Sequence, residues 1–99
     1  VIEIVQDFAK KKKVIAQICH GVLVLAAAGI LKGRKTTAYP ACSPVVSICS
    51  CEYLKPEPIT KCFTDKKEGE YTLVSGAAWP GHIELVAQFI KELGVTVTI

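Results

Sequence analysis

The sequence lacks several features that mark particular classes of protein. No apolar stretch reaches the roughly 18–20 residues that a membrane-spanning helix needs, and no signal peptide is visible. The glycines Gly21 and Gly33 stand alone, outside any G-x-G-x-x-G motif or phosphate-binding loop, so nothing supports a nucleotide or flavin site. Internal repeats and low-complexity segments are also missing. The lack of a long apolar stretch predicts no membrane partner, and the lack of a glycine-rich motif predicts no bound cofactor. A length of 99 residues suits a single domain.

Cysteine is plentiful, but its spacing is not that of a metal site. The chain has five cysteines, an odd number, and lacks the repeated C-x-x-C spacing of a zinc centre. The only close pair is the C-x-C of residues 49–51, which is a weak metal or redox signal. A protein that keeps its thiols reduced is the plainer interpretation, and it favours a cytoplasmic location. We therefore expect no metal ligands among these residues.

The positive charge is concentrated in one short run. The chain carries a net charge of +3, and four consecutive lysines, Lys10 to Lys13, supply much of it. Aromatic residues do not alternate with these lysines, as they commonly do in nucleic-acid-binding segments. A solvated loop is the better interpretation, and we expect no nucleic-acid partner.

The order of the apolar segments predicts alternating helices and strands. Residues 1–9 show a helical period, Val14–Ile18 has the apolar character of a buried strand, and a second helix is expected from about His20 to Gly29. Further along, we expect strands at 36–39, 59–64 and 71–75, a polar turn at 65–70, a closing helix at 82–93, and a last strand or tail at 95–99. This order predicts a three-layer α/β sandwich with a mostly parallel sheet, in which ligands bind outside the carboxyl ends of the strands.

Cys19 stands at one such carboxyl end. It follows the apolar strand directly and precedes a helix, which is the arrangement of a nucleophile elbow. A tight turn there strains the apex residue and exposes its side chain, while N–H groups at a helix start favour a thiolate and can hold an oxyanion. The adjacent His20 supports a catalytic role, because cysteine nucleophiles usually work with an imidazole. The alternative is a buried cysteine that acts as a small hydrophobic residue.

Two segments resemble a known family. AQICHGVLVLAAAGILKGRKTTAYPA, residues 16–41, and VSGAAWPGHIELVAQFIKELGV, residues 74–95, resemble the ThiJ/PfpI (DJ-one-like) superfamily, and above all its plant members of the glyoxalase III or class I glutamine amidotransferase-like type. The resemblance implies a flavodoxin-like, class I glutamine amidotransferase-like fold. It also implies Cys19 as nucleophile, His20 as its assistant, and an oxyanion site at the backbone N–H groups of His20 and Gly21.

The same resemblance implies a reaction and an assembly. Small α-oxoaldehydes such as methylglyoxal are the expected substrates, converted to a hydroxyacid without a cofactor, and a homo-oligomer is expected. The family's site is completed by a glutamate from an earlier strand, and no residue of this chain matches it. We therefore expect residues 1–99 to be the C-terminal part of a single ThiJ/PfpI domain, incomplete at the N-terminus. A further segment or second chain would then supply that glutamate.

Three alternatives stay open at this point. The sequence His82-Ile83-Glu84 resembles the H-P-E motif of class I glutamine amidotransferases, so Cys19, His82 and Glu84 form a rival triad. The same nucleophile could serve a cysteine peptidase or amidase. A non-catalytic, redox-sensing or stress-protective protein, in which Cys19 is oxidised reversibly, is the third hypothesis.

Overall fold

The computed structural model describes residues 1–94 as alternating helices and strands. The four helices are α1 (Ile2–Lys10), α2 (Val22–Ala28), α3 (Ser43–Ile48) and α4 (His82–Glu92). The five strands are β1 (Val14–Ile18), β2 (Lys35–Thr36), β3 (Glu52–Tyr53), β4 (Phe63–Asp65) and β5 (Thr72–Gly76). Short 3-10 turns lead into three of the helices, at Cys19–Gly21, Pro40–Cys42 and Trp79–Gly81. Across residues 1–94 no helix is long and apolar enough to cross a membrane.

The strands form two small sheets. In the larger sheet the order is β1-β5-β4, with β1 parallel to β5 and β4 antiparallel to β5. In the smaller sheet β2 runs parallel to β3. In the parallel pair, Val14 lies beside Thr72 and Ile18 lies beside Gly76, so β1 and β5 end at the same edge. The sheet is therefore mostly parallel, as predicted. The chain leaves both β1 and β5 at the same edge of the sheet.

Side chains alternate along a strand, so both faces of the larger sheet carry apolar side chains. Helices cover these side chains on each face. On one face, Ile15 and Leu73 pack in a core with Val22 and Leu25 of α2. On the other face, Val74 packs with Leu85 of α4 and with the β1 side chains that point that way. The arrangement is a three-layer α/β sandwich and confirms the predicted fold class.

A buried arginine joins the two sheets. The side chain of Arg34, just before β2, is 1% exposed. Its Nε donates to Asp65 Oδ2 at 2.8 Å and its Nη2 donates to Tyr71 O at 2.6 Å, so one guanidinium connects β2 with β4 and with the residue before β5. The guanidinium also lies 4.1 Å from the centre of the Tyr71 ring. A buried charge is tolerated here because a carboxylate and backbone oxygens accept its hydrogen bonds.

Several boundaries differ from those predicted. The strand expected at 59–64 is β4, and it begins only at Phe63, because residues 59–60 belong to a turn in which Lys61 N donates to Pro58 O. The strand expected at 36–39 is reduced to Lys35–Thr36, and its short partner β3 was not predicted. The second helix starts at Val22 rather than His20, because the chain first makes the 3-10 turn. The last strand or tail expected at 95–99 lies outside the described residues.

Candidate active site

The first strand-to-helix junction holds Cys19 in a strained conformation. Cys19 has a φ of 60°, in the left-handed region, where a residue other than glycine costs about 1–3 kcal/mol. The strand before it is extended, and the helix after it begins within three residues, so the sharp reversal falls on Cys19. The cysteine is partly exposed rather than enclosed in the core. Both the strained backbone and the partial exposure confirm the predicted geometry of the elbow.

Cys19 and His20 are in contact. The distance from Cys19 Sγ to His20 Nδ1 is 3.2 Å, within the range of a hydrogen bond that involves sulfur. His20 itself is exposed, and its ring stacks on the ring of Tyr39, with centroids 4.9 Å apart and planes inclined by 24°. The backbone N–H of Tyr39 donates to Cys19 O at 3.0 Å. Tyr39 therefore contacts both members of the pair, one through its backbone and the other through its ring.

A buried polar cluster lies beneath this turn. Gln17, two residues before Cys19, donates through Nε2 to Thr36 Oγ1 at 2.9 Å and to Thr37 O at 2.6 Å. Thr37 N in turn donates to Ser75 Oγ at 3.0 Å, and Ser75 is the partner of Gln17 in the β1–β5 register. All four of these side chains are buried. The segment that leads to Tyr39 is thus tied to both strands of the parallel pair.

A second strand-to-helix junction stands at the same edge of the sheet. After β5 the chain makes the 3-10 turn Trp79–Gly81, and α4 begins at His82. Trp79 is 77% exposed. His82 and Glu84 lie exposed in the first turn of α4. Here the chain offers a histidine and a carboxylate, but no cysteine in the turn itself.

The structure brings Cys19 and His20 together, whereas Glu84 has another partner. Glu84 Oε1 accepts from Gln88 Nε2 at 2.9 Å, one turn further along α4. Glu84 also faces Cys62, whose pKa is raised chiefly by burial and further by this carboxylate. Among the described residues, the only hydrogen-bonding side chain at Cys19 Sγ is His20. The catalytic roles of His20, His82 and Glu84 stay predictions, and the geometry favours His20.

The other four cysteines differ from Cys19 in their surroundings. Cys42, Cys51 and Cys62 are buried, Cys49 is partly buried, and none forms a disulfide. Burial, helped by the negative charge of Asp65, raises the pKa of Cys51 to about 11. Over residues 1–94 no group of three or more histidine, cysteine, aspartate or glutamate side chains is placed to hold a metal ion. None of these cysteines shares the exposed turn and the adjacent imidazole that Cys19 has.

Sequence reasoning did not find two residues of this site. Tyr39 lies twenty positions after Cys19 and has no local pattern that marks it as a neighbour of His20. Gln17 carried a weak signal, since it is the only polar residue in the apolar strand Val14–Ile18. A buried amide in such a strand needs hydrogen-bond partners, and these come from a distant segment.

Comparison with known proteins agrees with this architecture. The DJ-1/PfpI family model matches residues 1–92. The chain is 50% identical to Protein DJ-1 homolog D of Arabidopsis thaliana over 98 residues, which cover 99% of this chain and 24% of that protein. It is 47% identical to Deglycase PfpI of Pyrococcus furiosus over 38 residues, or 38% of this chain and 23% of that one.

A solved structure shows the same fold. A DJ-1 variant of Schizosaccharomyces pombe superimposes with a TM-score of 0.64 at 25% identity, covering 99% of this chain and 45% of that one. The chain therefore spans about a quarter of the two curated relatives and less than half of this solved one.

Proposed function

The chain belongs to the DJ-1/PfpI family, and from that premise we propose that it carries the nucleophile of a cysteine-dependent enzyme acting on small α-oxoaldehydes, in a glyoxalase III or deglycase-like reaction. The observation that carries the proposal is the strained, partly exposed Cys19 with its sulfur 3.2 Å from an imidazole nitrogen. Relatives named deglycases support an enzymatic role in general. Methylglyoxal is the substrate that we propose for this reaction.

The first step is addition of the thiolate to the aldehyde. The Cys19 sulfur forms a bond to the aldehyde carbon, and the carbonyl oxygen takes up a proton, which gives a hemithioacetal. The backbone N–H groups of His20 and Gly21 are placed in the turn directly after the nucleophile, where they can donate to the developing oxyanion. Such donors are effective because they are already oriented before the reaction.

The second step moves hydrogen between two carbons. A base removes the proton from the former aldehyde carbon, and a proton returns to the neighbouring carbon, so the hemithioacetal becomes a thioester of the 2-hydroxyacid. His20 is the proposed proton carrier, because its ring touches the sulfur that bears the substrate. Water then cleaves the thioester, which releases lactate and restores the thiol. No external oxidant or reductant is needed, because one carbon is oxidised as its neighbour is reduced.

We also propose that the acid of the site comes from outside this chain. Glu84 bonds Gln88 rather than the Cys19–His20 pair, and no carboxylate among residues 1–94 hydrogen-bonds to His20. The β1 strand pairs with β5 on one edge, and the described part of the chain provides no strand for its other edge. A preceding segment or a second copy in an oligomer would cover that edge and bring a glutamate. Purified residues 1–99 should then turn over methylglyoxal poorly and unfold without a cooperative transition; full activity from a stable monomer would refute the proposal.

The nucleophile is tested in the protein as it occurs naturally. Cys19→Ala should reduce methylglyoxal loss and lactate formation, measured without glutathione, to the uncatalysed background. Cys49→Ala is the matched control, because Cys49 is also partly buried but has no place in the turn, and it should retain turnover. Turnover that is unchanged in Cys19→Ala would refute the proposal of a cysteine-dependent enzyme. Cys19 would then have a redox or scaffold role.

The substrate class is tested with the same protein and the same two variants. Free methylglyoxal, a glycated amine and a peptide amide distinguish a glyoxalase, a deglycase and a hydrolase, because all three reactions can start from the same thiolate. Cys19-dependent turnover of the peptide amide alone would replace the α-oxoaldehyde reaction by amide hydrolysis.

A further inference from the structure

Gln17 lies between the nucleophile turn and the segment that carries Tyr39. Gly21 lies beside Gln17: a Cβ on Gly21 would stand at ordinary van der Waals distances from it, 3.4 Å from Gln17 Cβ and 3.7 Å from Gln17 Oε1. On its other side, the Gln17 amide donates to Thr36 Oγ1 and Thr37 O. The side chain therefore lies on the strand that leads into the turn, beside Gly21, and holds the 36–39 segment at two points.

The hydrogen bonds of this side chain are incomplete. Gln17 is 5% exposed, and within the described part of the chain its Oε1 has no hydrogen-bond partner. The unpaired oxygen carries a desolvation cost, which offsets part of what the two donated bonds contribute to stability. The contribution of Gln17 to stability is thus a poor explanation of what the residue does. Its two donated bonds have a definite geometric effect, because they fix where the segment leading to Tyr39 begins.

That segment in turn fixes the reactive pair. Two residues beyond Thr37, the N–H of Tyr39 donates to Cys19 O, and the Tyr39 ring stacks on His20. A shift of the segment would move both contacts together, since they belong to one residue. Gln17 does not touch the reacting atoms, so its effect on them passes through Thr36, Thr37 and Tyr39.

We propose that Gln17 is a positioning residue, which fixes the Cys19–His20 pair by tying the turn to the 36–39 segment. The proposal rests on the proposed role of Cys19, but its main test does not depend on turnover. It predicts that Cys19 reactivity and protein stability can be changed separately at this position.

The test is Gln17→Met, which keeps the length of the side chain and removes its hydrogen bonds. Iodoacetamide labelling of Cys19 near neutral pH should slow by about fivefold, the factor that one ordinary hydrogen bond corresponds to, since a loosened imidazole supports the thiolate less well. The urea midpoint should stay close to that of the natural protein, because Thr36 Oγ1 still donates to Thr37 O. Gln6→Met is the control, because Gln6 donates one bond to Ala28 O, away from the turn, and it should leave labelling unchanged. Natural labelling rates in Gln17→Met would overturn the proposal.

A second variant removes the other end of the same contact. Thr36→Val deletes one of the two acceptors of Gln17 with little change of shape, and it should slow labelling to a similar extent. Its urea midpoint should fall, because the buried Gln17 amide loses a partner. In the double variant the two effects should not multiply, because both break one connection. Independent effects, or slower labelling found only where the midpoint falls, would show that Gln17 is merely structural.

The outcomes also separate this proposal from the enzymatic one. If Cys19→Ala retains turnover, the proposed function fails, and the labelling rates still decide the role of Gln17. If the enzyme assay succeeds, Gln17→Met should lower kcat more than it changes KM, because it disturbs the reacting groups and leaves substrate binding in place.

Discussion

The two strand-to-helix junctions of this molecule have the same backbone plan and different chemistry. Each follows a strand of the parallel pair, passes through a three-residue 3-10 turn that ends in glycine, and starts a helix at the same edge of the sheet. The first turn reads Cys-His-Gly and the second reads Trp-Pro-Gly, followed by His82. Both therefore place a histidine where an active site is expected in such a fold.

The difference lies in the apex residue and its contacts. At the first junction Cys19 takes a φ of 60° and has an imidazole beside it, and Tyr39 holds both. At the second junction Ala78, before the turn, is fully extended, Trp79 is 77% exposed, and Glu84 is paired with Gln88. The comparison teaches that a strand-to-helix turn at the correct edge is not sufficient. The strained residue must also be a nucleophile, and distant residues must orient its neighbour.

The histidines give the largest expected difference between the junctions. His20→Ala should lower kcat on methylglyoxal by about 10²-fold, the usual effect of removing a general acid–base group, whereas His82→Ala should have a minor effect. Steady-state kinetics of the two purified variants is the measurement. A large effect of His82→Ala and a minor effect of His20→Ala would show that His82 is the base, and would favour the Cys19–His82–Glu84 triad.

Thiol labelling compares Cys19 at the first junction with buried cysteines elsewhere in the chain. Near neutral pH, iodoacetamide should modify Cys19 at least about tenfold faster than Cys51 or Cys62, because the thiolate is the reacting form and both of these have raised pKa values. With a pKa of about 11, Cys51 stays a thiol until the solution approaches that pH, so its labelling should rise only under alkaline conditions. Peptide mass spectrometry over time measures each rate. Equal labelling of all five cysteines would contradict the elbow interpretation.

The aromatic residues of the two regions should differ by a smaller factor. Tyr39→Leu removes the ring that stacks on His20 and should reduce turnover several-fold, in line with the about 0.5–1.5 kcal/mol of a typical aromatic pair. Tyr39→Phe keeps the ring and should restore most of the rate. Trp79→Leu changes an exposed side chain at the second junction and should leave kcat as it is. A loss in Tyr39→Phe equal to that in Tyr39→Leu would show that the hydroxyl matters rather than the stack.

The glycines that close the two turns give the smallest expected effect. Here the second junction, rather than the first, should be the more sensitive to substitution. A Cβ at Gly81 would stand 3.2 Å from Thr60 O and 3.3 Å from Cys62 Sγ, whereas a Cβ at Gly21 meets its nearest neighbour at an ordinary 3.4 Å. Gly81→Ala should therefore lower the free energy of unfolding by about 1–2 kcal/mol, as overpacking of a core does, and Gly21→Ala by about half of that or less. Urea unfolding of both variants checks this order.

The architecture could be predicted because it depends on local patterns. The apolar run Val14–Ile18 has the length and composition of a buried strand, and the period of residues 82–93 is that of an amphipathic helix. The strand predicted at 59–64 begins too early, because the apolar residues of that stretch indicate a strand although the chain turns after Pro58. Two-residue strands such as β3 carry too few residues for any periodic signal.

For the candidate site, the residue pattern was enough to place Cys19 between a buried strand and a helix, with His20 next to it. That follows from chain connectivity and from the apolar pattern, both of which are local. The residues that surround the pair depend on how the chain folds back on itself. Tyr39 contacts His20, and Gln17 contacts Thr36, because the chain returns to the same edge of the sheet after α2. No sequence pattern in the intervening residues predicts either contact. The bond between Gln88 and Glu84 is local by contrast, since one turn of helix brings residues four apart together.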